Sequence, residues 1–223
     1  MDEILHFKDL LDEFGYPGTI VDPQEALRHI HNKYLALADY SSLFINLLKN
    51  NPDLFKEIFK SIIIFSHKFL FEDYLLNAGK FRNASDRYGG IIYFGPHDAK
   101  KGRVKFIGLS PIRIDNAINK LLDIFKPNDS NPISTAVKFY QNFVFIHPFY
   151  DGNGRIGRFI MSIYLGYFNL TINWEELDKK ENKNKFITKL NRCHGLVGKP
   201  WYNSRLEELI RFFADFVIKN PDI

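Results

Sequence analysis

The 223-residue sequence predicts a mainly α-helical fold, a single domain that carries one β-hairpin. Three observations predict it. Apolar residues recur at spacings of three and four along most of the chain, the period of a helix with one buried face. One stretch, Tyr88 to Ile107, breaks that period with β-branched and aromatic residues around turn chemistry. No repeat, linker or shift in composition divides the chain. We therefore expect residues 1–60 as a helical segment packed on a core formed by 61–223, one structural domain overall.

The elements follow in order. Asp22-Pro23-Gln24-Glu25 is a helix start: Asp22 can cap, Pro23 suits the first helical position, and Glu25 completes a capping box. Ala26, Leu27, Ile30 and Tyr34 then share one face. A second long helix is predicted from about Pro52 to Tyr74, with Leu54, Phe55, Ile58, Phe59, Ile62, Phe65 and Phe69 in register. Ser110-Pro111 opens another, and more follow at 132–146, 153–168, 182–194 and 202–219. Between them, Tyr88–Phe94 and Arg103–Ile107 read as two strands, with Gly95–Gly102 as a long turn. A lone hairpin is marginal in water, so it must lean on the helices.

Composition narrows the function classes. The chain is 45% hydrophobic, with 14 glycines and 10 prolines, which excludes collagen-like and low-complexity chains. The net charge of +4 comes without a basic stripe interleaved with aromatics, so no nucleic-acid partner is expected. The amino terminus is acidic where a secretory signal is positive, and no apolar run is long enough to span a bilayer. The single cysteine, Cys193, permits no intrachain disulfide and no cysteine-based metal site. A cytoplasmic location is the expectation, with export by a route that reads no amino-terminal signal left open beside it.

The chemistry gathers in His147-Pro148-Phe149-Tyr150-Asp151-Gly152-Asn153-Gly154-Arg155-Ile156-Gly157-Arg158. Pro148 disfavours the helical conformation at His147, so one helix should stop there. The next begins near Asn153 or Gly154. A glycine-rich turn entering a helix aims several N–H groups at one point, a site for phosphate oxygens. Arg155 and Arg158 lie on the first turn, where the helix dipole disfavours cations. Two arginine forks there make sense around an anion, a polyphosphate above all. Asp151 is a hard oxygen ligand of the kind magnesium takes together with substrate phosphates. His147 supplies a group able to accept a hydroxyl proton at neutral pH. Each residue alone has a plainer structural reading as a cap, a turn or an ion-pair partner; the ordered set points to transfer from a nucleotide to a hydroxyl.

This run resembles the signature of the Fic family of nucleotide transferases, His-Pro-Phe-x-Asp/Glu-Gly-Asn-Gly-Arg-x-x-Arg, and matches every fixed position. The resemblance extends over about Phe69 to Lys219 and includes Gly79-Lys80-Phe81-Arg82 and the hairpin. It implies a helical domain that moves AMP from ATP, with Mg2+, to a Ser, Thr or Tyr hydroxyl of a target protein. By position, His147 is then the base and Asp151 the magnesium ligand. Gly152, Asn153 and Gly154 cradle the phosphates, Arg155 faces the β-phosphate and Arg158 the γ-phosphate. The hairpin, residues 88–107, resembles the family's flap, which pairs with the target segment as an added strand. Phe186 and Asn191 fall in the helix that contributes to the family's adenine pocket. Many relatives carry a self-inhibiting Ser/Thr-x-x-x-Glu-Gly/Asn helix, and this sequence has no such string. Three alternatives follow: a separate antitoxin-like inhibitor, a degenerate helix near the amino terminus, or no inhibitor. Transfer of another nucleotide or a phosphate moiety, or a partner-regulated module that binds nucleotide with little activity of its own, stay open beside AMP transfer.

Overall fold

A computed structural model describes residues 2–98, 103–199 and 202–219. Ten helices carry most of these residues: α1 Asp2–Phe14, α2 Pro23–Ala36, α3 Ser41–Asn50, α4 Phe55–Phe71, α5 Ile114–Leu122, α6 Pro132–Ile146, α7 Asn153–Tyr167, α8 Trp174–Asp178, α9 Lys180–Cys193 and α10 Tyr202–Ala214. Two antiparallel pairs complete the fold, β1 Tyr93–Asp98 with β2 Arg103–Ile107, and β3 Leu170–Ile172 with β4 Val217–Lys219. Among the described residues, no helix is long and apolar enough to cross a membrane.

The start signals work as the sequence implies. The Asp22 side chain accepts the Gln24 N–H at 3.0 Å and Pro23 opens α2. Asn131 caps α6 through the Ser134 N–H at 3.2 Å. Pro52–Leu54 and Pro111–Arg113 form short 3-10 turns ahead of α4 and α5, so both helices begin a turn later than their prolines.

The hairpin differs from the sequence reading. Residues 87–90 form a 3-10 turn, and β1 runs on through Gly95 and Pro96 rather than turning there. A bulge between Phe94 and His97 takes up the irregularity. Gly95 has φ +92, and the Phe106 ring lies 2.5 Å from where a Cβ would stand, so the strand bends closely over that ring. The tip, residues 99–102, lies outside the described residues. The β3–β4 ribbon was not foreseen. It ties the segment after α7 to the segment after α10, which ends at Ala214 rather than at Lys219.

One apolar cluster runs from Phe7 and Ile30 through α4, α6 and α7 to Phe213 and Phe216. Its centre is aromatic: Phe125 stacks on Tyr164 at 4.1 Å and meets Phe59 at 4.6 Å. Tyr164 is fully buried, and its hydroxyl donates to Asp129 at 2.7 Å. α6 lies against α7 where the Tyr140 ring comes within 2.9 Å of the missing Cβ of Gly157, so that glycine sets the crossing distance. Cys193 is buried in the same core, and burial pushes its thiol up to about 11.

Candidate active site

α6 ends at His147, which adopts φ +54, ψ +61, a left-handed conformation uncommon outside glycine. The reason is local. Pro148 blocks helical continuation, and the His147 N–H still reaches the Phe143 carbonyl at 3.0 Å to close the last turn. The loop then passes Phe149, fully buried and stacked on His67 at 3.9 Å. Gly152 turns the chain into α7 with φ +77, and the Phe71 ring stands 2.7 Å from where its Cβ would be. Any larger residue there would be strained and would have to push the Phe71 ring aside.

The first turn of α7 has no side-chain cap. The Asn153 side chain is committed elsewhere: it accepts from the Phe149 N–H at 3.0 Å and donates to the Phe149 carbonyl at 2.8 Å. It closes the loop, so what Asn153 presents to a ligand is its backbone amide. Gly154 leaves open space beside that amide, with the Tyr140 hydroxyl 3.9 Å from an added Cβ as its nearest neighbour. The N–H groups at the start of α7 and the dipole behind them are chemically suited to receive an anion.

His147 lies near enough to this turn for the Asp151 charge to act on its ring. Its Nδ1 lies 3.1 Å from the Val144 carbonyl, which can only accept, so Nδ1 carries the proton and Nε2 is left as the acceptor. Phe94 of β1 stacks on the imidazole at 4.4 Å. Burial lowers its pKa to about 4, with Arg82 acting in the same sense and the Val144 carbonyl and Asp151 opposing. The ring is therefore neutral at pH 7.

The segment is held by a residue the chemistry alone did not single out. Arg82 is 3% exposed, and the Asp86 charge acts on it from nearby. Its guanidinium donates to the carbonyls of His147 at 2.8 Å, Leu109 at 2.9 Å, Ile146 at 3.4 Å and Gly90. Its own N–H reaches the Pro148 carbonyl at 2.9 Å. One side chain thus knots both roots of the hairpin to the loop that carries His147. Burial lowers its pKa to about 10, still fully charged at neutral pH.

The two motif arginines are both engaged by carboxylates. Arg155 Nη2 lies 3.3 Å from Asp151 Oδ2, and Asp151 Oδ1 also takes the Gly152 N–H. Arg158 Nη1 meets both oxygens of Asp178 at 2.9 Å, and its guanidinium lies 4.9 Å from the centre of the Trp174 ring. The sequence showed no partner for Arg158; Asp178 arrives from α8, twenty residues on, by folding alone. Phe186 proves to be core, 2% exposed and stacked on Tyr140 at 5.7 Å.

Asp151 fits magnesium as a single hard donor whose partners would be phosphate oxygens, and Arg155 would have to share the carboxylate with the ion. Among the described residues no group of three His, Cys, Asp or Glu side chains could form a complete protein cage.

A neutral imidazole on the loop that leads into an uncapped, arginine-bearing helix start, in a mostly helical domain with one small hairpin, defines the class of arrangement to compare. Comparison gives the family. The Fic/DOC family model matches residues 57–165, which carry a Fic/DOC domain. A protein adenylyltransferase Fic of Culex quinquefasciatus is 26% identical over 196 residues, 86% of this chain and 34% of that protein. A ribonucleoside-diphosphate reductase small chain of Ostreid herpesvirus 1 is 39% identical over 61 residues, 27% of this chain and 10% of that protein. The chain thus spans about a third of the first of these curated relatives and a tenth of the second. Among solved structures, the N-terminal Fic domain of a Bartonella effector protein from Bartonella sp. AR 15-3 aligns with a TM-score of 0.59 at 17% identity, covering 93% of this chain and 92% of that one. BepC from Bartonella tribocorum, crystallised with AMPPNP, aligns at 0.56 and 16% identity over 93% and 97%. These structures share its fold, mostly helical with a small hairpin.

Proposed function

We propose that the chain is a nucleotide transferase that moves AMP from ATP to a Ser, Thr or Tyr hydroxyl of a target protein. The observation that carries this reading is the neutral His147, its Nδ1–H fixed on Val144 and its Nε2 free, set on the same loop as the uncapped start of α7. The likeness to a protein adenylyltransferase of Culex quinquefasciatus and the AMPPNP bound to BepC support it.

The backbone of Gly152, Asn153 and Gly154 receives the phosphates. Asp151 would hold magnesium there, an ion that neutralises phosphate charge when bound. Arg155 lies beside the β-phosphate. His147 Nε2 takes the proton of the attacking hydroxyl as its oxygen bonds to the α-phosphorus and pyrophosphate leaves. Positioning and electrostatics supply most of the rate. Contact of Arg158 with a γ-phosphate requires that it leave Asp178, and a separate antitoxin-like inhibitor would act at this arginine. The target lies along the hairpin, residues 88–107, where Ile91, Tyr93 and Ile107 are each more than half exposed beside a groove of about 370 Å³. Unpaired strand edges there can hold an acceptor by main-chain bonds.

Incubation of the chain with host lysate and ATP labelled at the α-phosphorus should label protein, whereas γ-label should not appear. His147→Asn, which tolerates the left-handed conformation, should abolish transfer and leave nucleotide binding intact. Full transfer by that variant refutes the base assignment.

A further inference from the structure

The two faces of the hairpin meet different surroundings. Phe94, opposite Phe106 in the register, turns inward and stacks on the His147 imidazole at 4.4 Å. Ile92, one step of the alternation earlier, is buried on that same face, and its carbonyl takes the Gly108 N–H at 2.9 Å. Gly108 brings this face against the proton acceptor: a Cβ there would stand 2.7 Å from the Ile92 side chain and 3.2 Å from the His147 Cβ. Tyr93, opposite Ile107, projects the other way. Both are exposed, as is Ile91 just ahead of β1, and Ile112 beyond β2 is 80% exposed. Ile91, Tyr93 and Ile107 line a groove of about 370 Å³ together with Leu109, Pro111 and Gly108. Among the described residues no charged side chain lines it. An exposed apolar patch of this kind marks a surface that meets more than water. The groove and the His147 site share a wall at Gly108, so whatever fills the one borders the other.

We propose that this groove selects the target segment by an aliphatic side chain immediately beside its hydroxyl residue. The proposal rests on the transfer reading, with the target along the hairpin, and names the chemistry of the segment accepted. An added strand bonds through its main chain, which carries no sequence preference, so preference has to come from pockets that meet alternate side chains. Alternation fixes the position. The attacking hydroxyl must reach His147 and so projects to the Phe94 face. Its two immediate neighbours then project to the Tyr93–Ile107 face, and residues two away return to the inner one. A Leu, Ile, Val or Met next to the hydroxyl residue fills a groove lined mainly by carbon. An Asp, Glu, Lys or Arg there loses water and gains no partner.

The test is to incubate the full chain with host lysate and ATP labelled at the α-phosphorus, and to locate the modified residues by mass spectrometry. The variants are Ile107→Lys and, as a control at an exposed apolar residue of α3, Leu47→Lys. With the native chain, aliphatic residues should stand immediately before or after the modified hydroxyls about twofold or more above their frequency around unmodified Ser, Thr and Tyr of the same proteins. Ile107→Lys should label those sites about tenfold less, the effect of one lost apolar contact, and move the remaining label toward sites flanked by Asp or Glu. Its ATP affinity by calorimetry should stay within about twofold of native. Leu47→Lys should match the native chain in rate and in choice of site. Enrichment two residues away instead, no enrichment, unaltered site choice by Ile107→Lys, or an equal loss in its ATP affinity overturns the groove while the transferase stands. A native chain that binds ATP yet labels no protein overturns the transfer reading, and the groove's role falls with it.

Discussion

Replacing Arg82 by Met removes a guanidinium that serves four carbonyls in a site with almost no water access. Ile146 keeps another donor, the Leu109 N–H at 3.0 Å. The carbonyls of Gly90, Leu109 and His147 lose theirs. A stranded buried acceptor costs about 1–3 kcal/mol, and water entering the vacated space recovers part of that, so the expected loss is about 3–5 kcal/mol. Against a typical total of about 5–15 kcal/mol, that leaves a weakened but folded chain. Urea unfolding measures it directly, with an unchanged slope showing that both end states are comparable. Arg82→Lys keeps the charge but not the fork, and should fall between the two. A loss below about 1 kcal/mol for Arg82→Met would show that the hairpin roots and the His147 loop hold themselves, and the knot described above would be wrong.

Acid should destabilise the fold through its buried histidines. Burial lowers His67 to about 3 and His147 to about 4. Below pH 6.5 the unfolded chain binds protons at both while the folded one does not, so stability rises with pH up to about 6.5 and is flat above about pH 7. Between pH 7 and 5 the loss is about 2 kcal/mol per histidine, read by urea unfolding. His67→Gln, which can still accept the Gly79 N–H, should halve the slope, and a pH-independent midpoint refutes the burial argument. For the same reason a transfer rate limited by His147 should not titrate near 6.5 but fall only as pH nears 4. Gly152→Ala drives a Cβ toward the Phe71 ring at a φ of +77. It should cost about 2–4 kcal/mol and weaken ADP binding; a cost under about 1 kcal/mol in thermal unfolding would show that the turn is not constrained.

Local signals carried the reading where local chemistry decides the structure. Pro132 and the His147-Pro148 step bound α6 at both ends, and the glycine-rich turn placed the start of α7 at Asn153. What escaped is non-local. β3 and β4 are three residues each and find each other across the length of α8, α9 and α10, so neither has a pattern of its own. Asn169, with φ +58 just after α7, was a readable sign that the helix ends and the chain turns. The partners of the motif arginines divide the same way: Asp151 sits one helical turn from Arg155 and was visible, whereas Asp178 reaches Arg158 only through the packing of α8. Glycines and arginines read as an anion site from local chemistry alone, whereas the bracing of the Phe149 backbone by the Asn153 side chain was not legible, because it depends on how the loop folds.

The inertness of Cys193 has a practical side. Its sulfur is sealed in the interior and holds its proton far above physiological pH, so thiol reagents that need a reactive anion should pass the native chain by. A cysteine placed at exposed Tyr93 would then be a unique handle, and a spin label or dye attached there would report on how the hairpin answers to nucleotide with no background from the rest of the molecule.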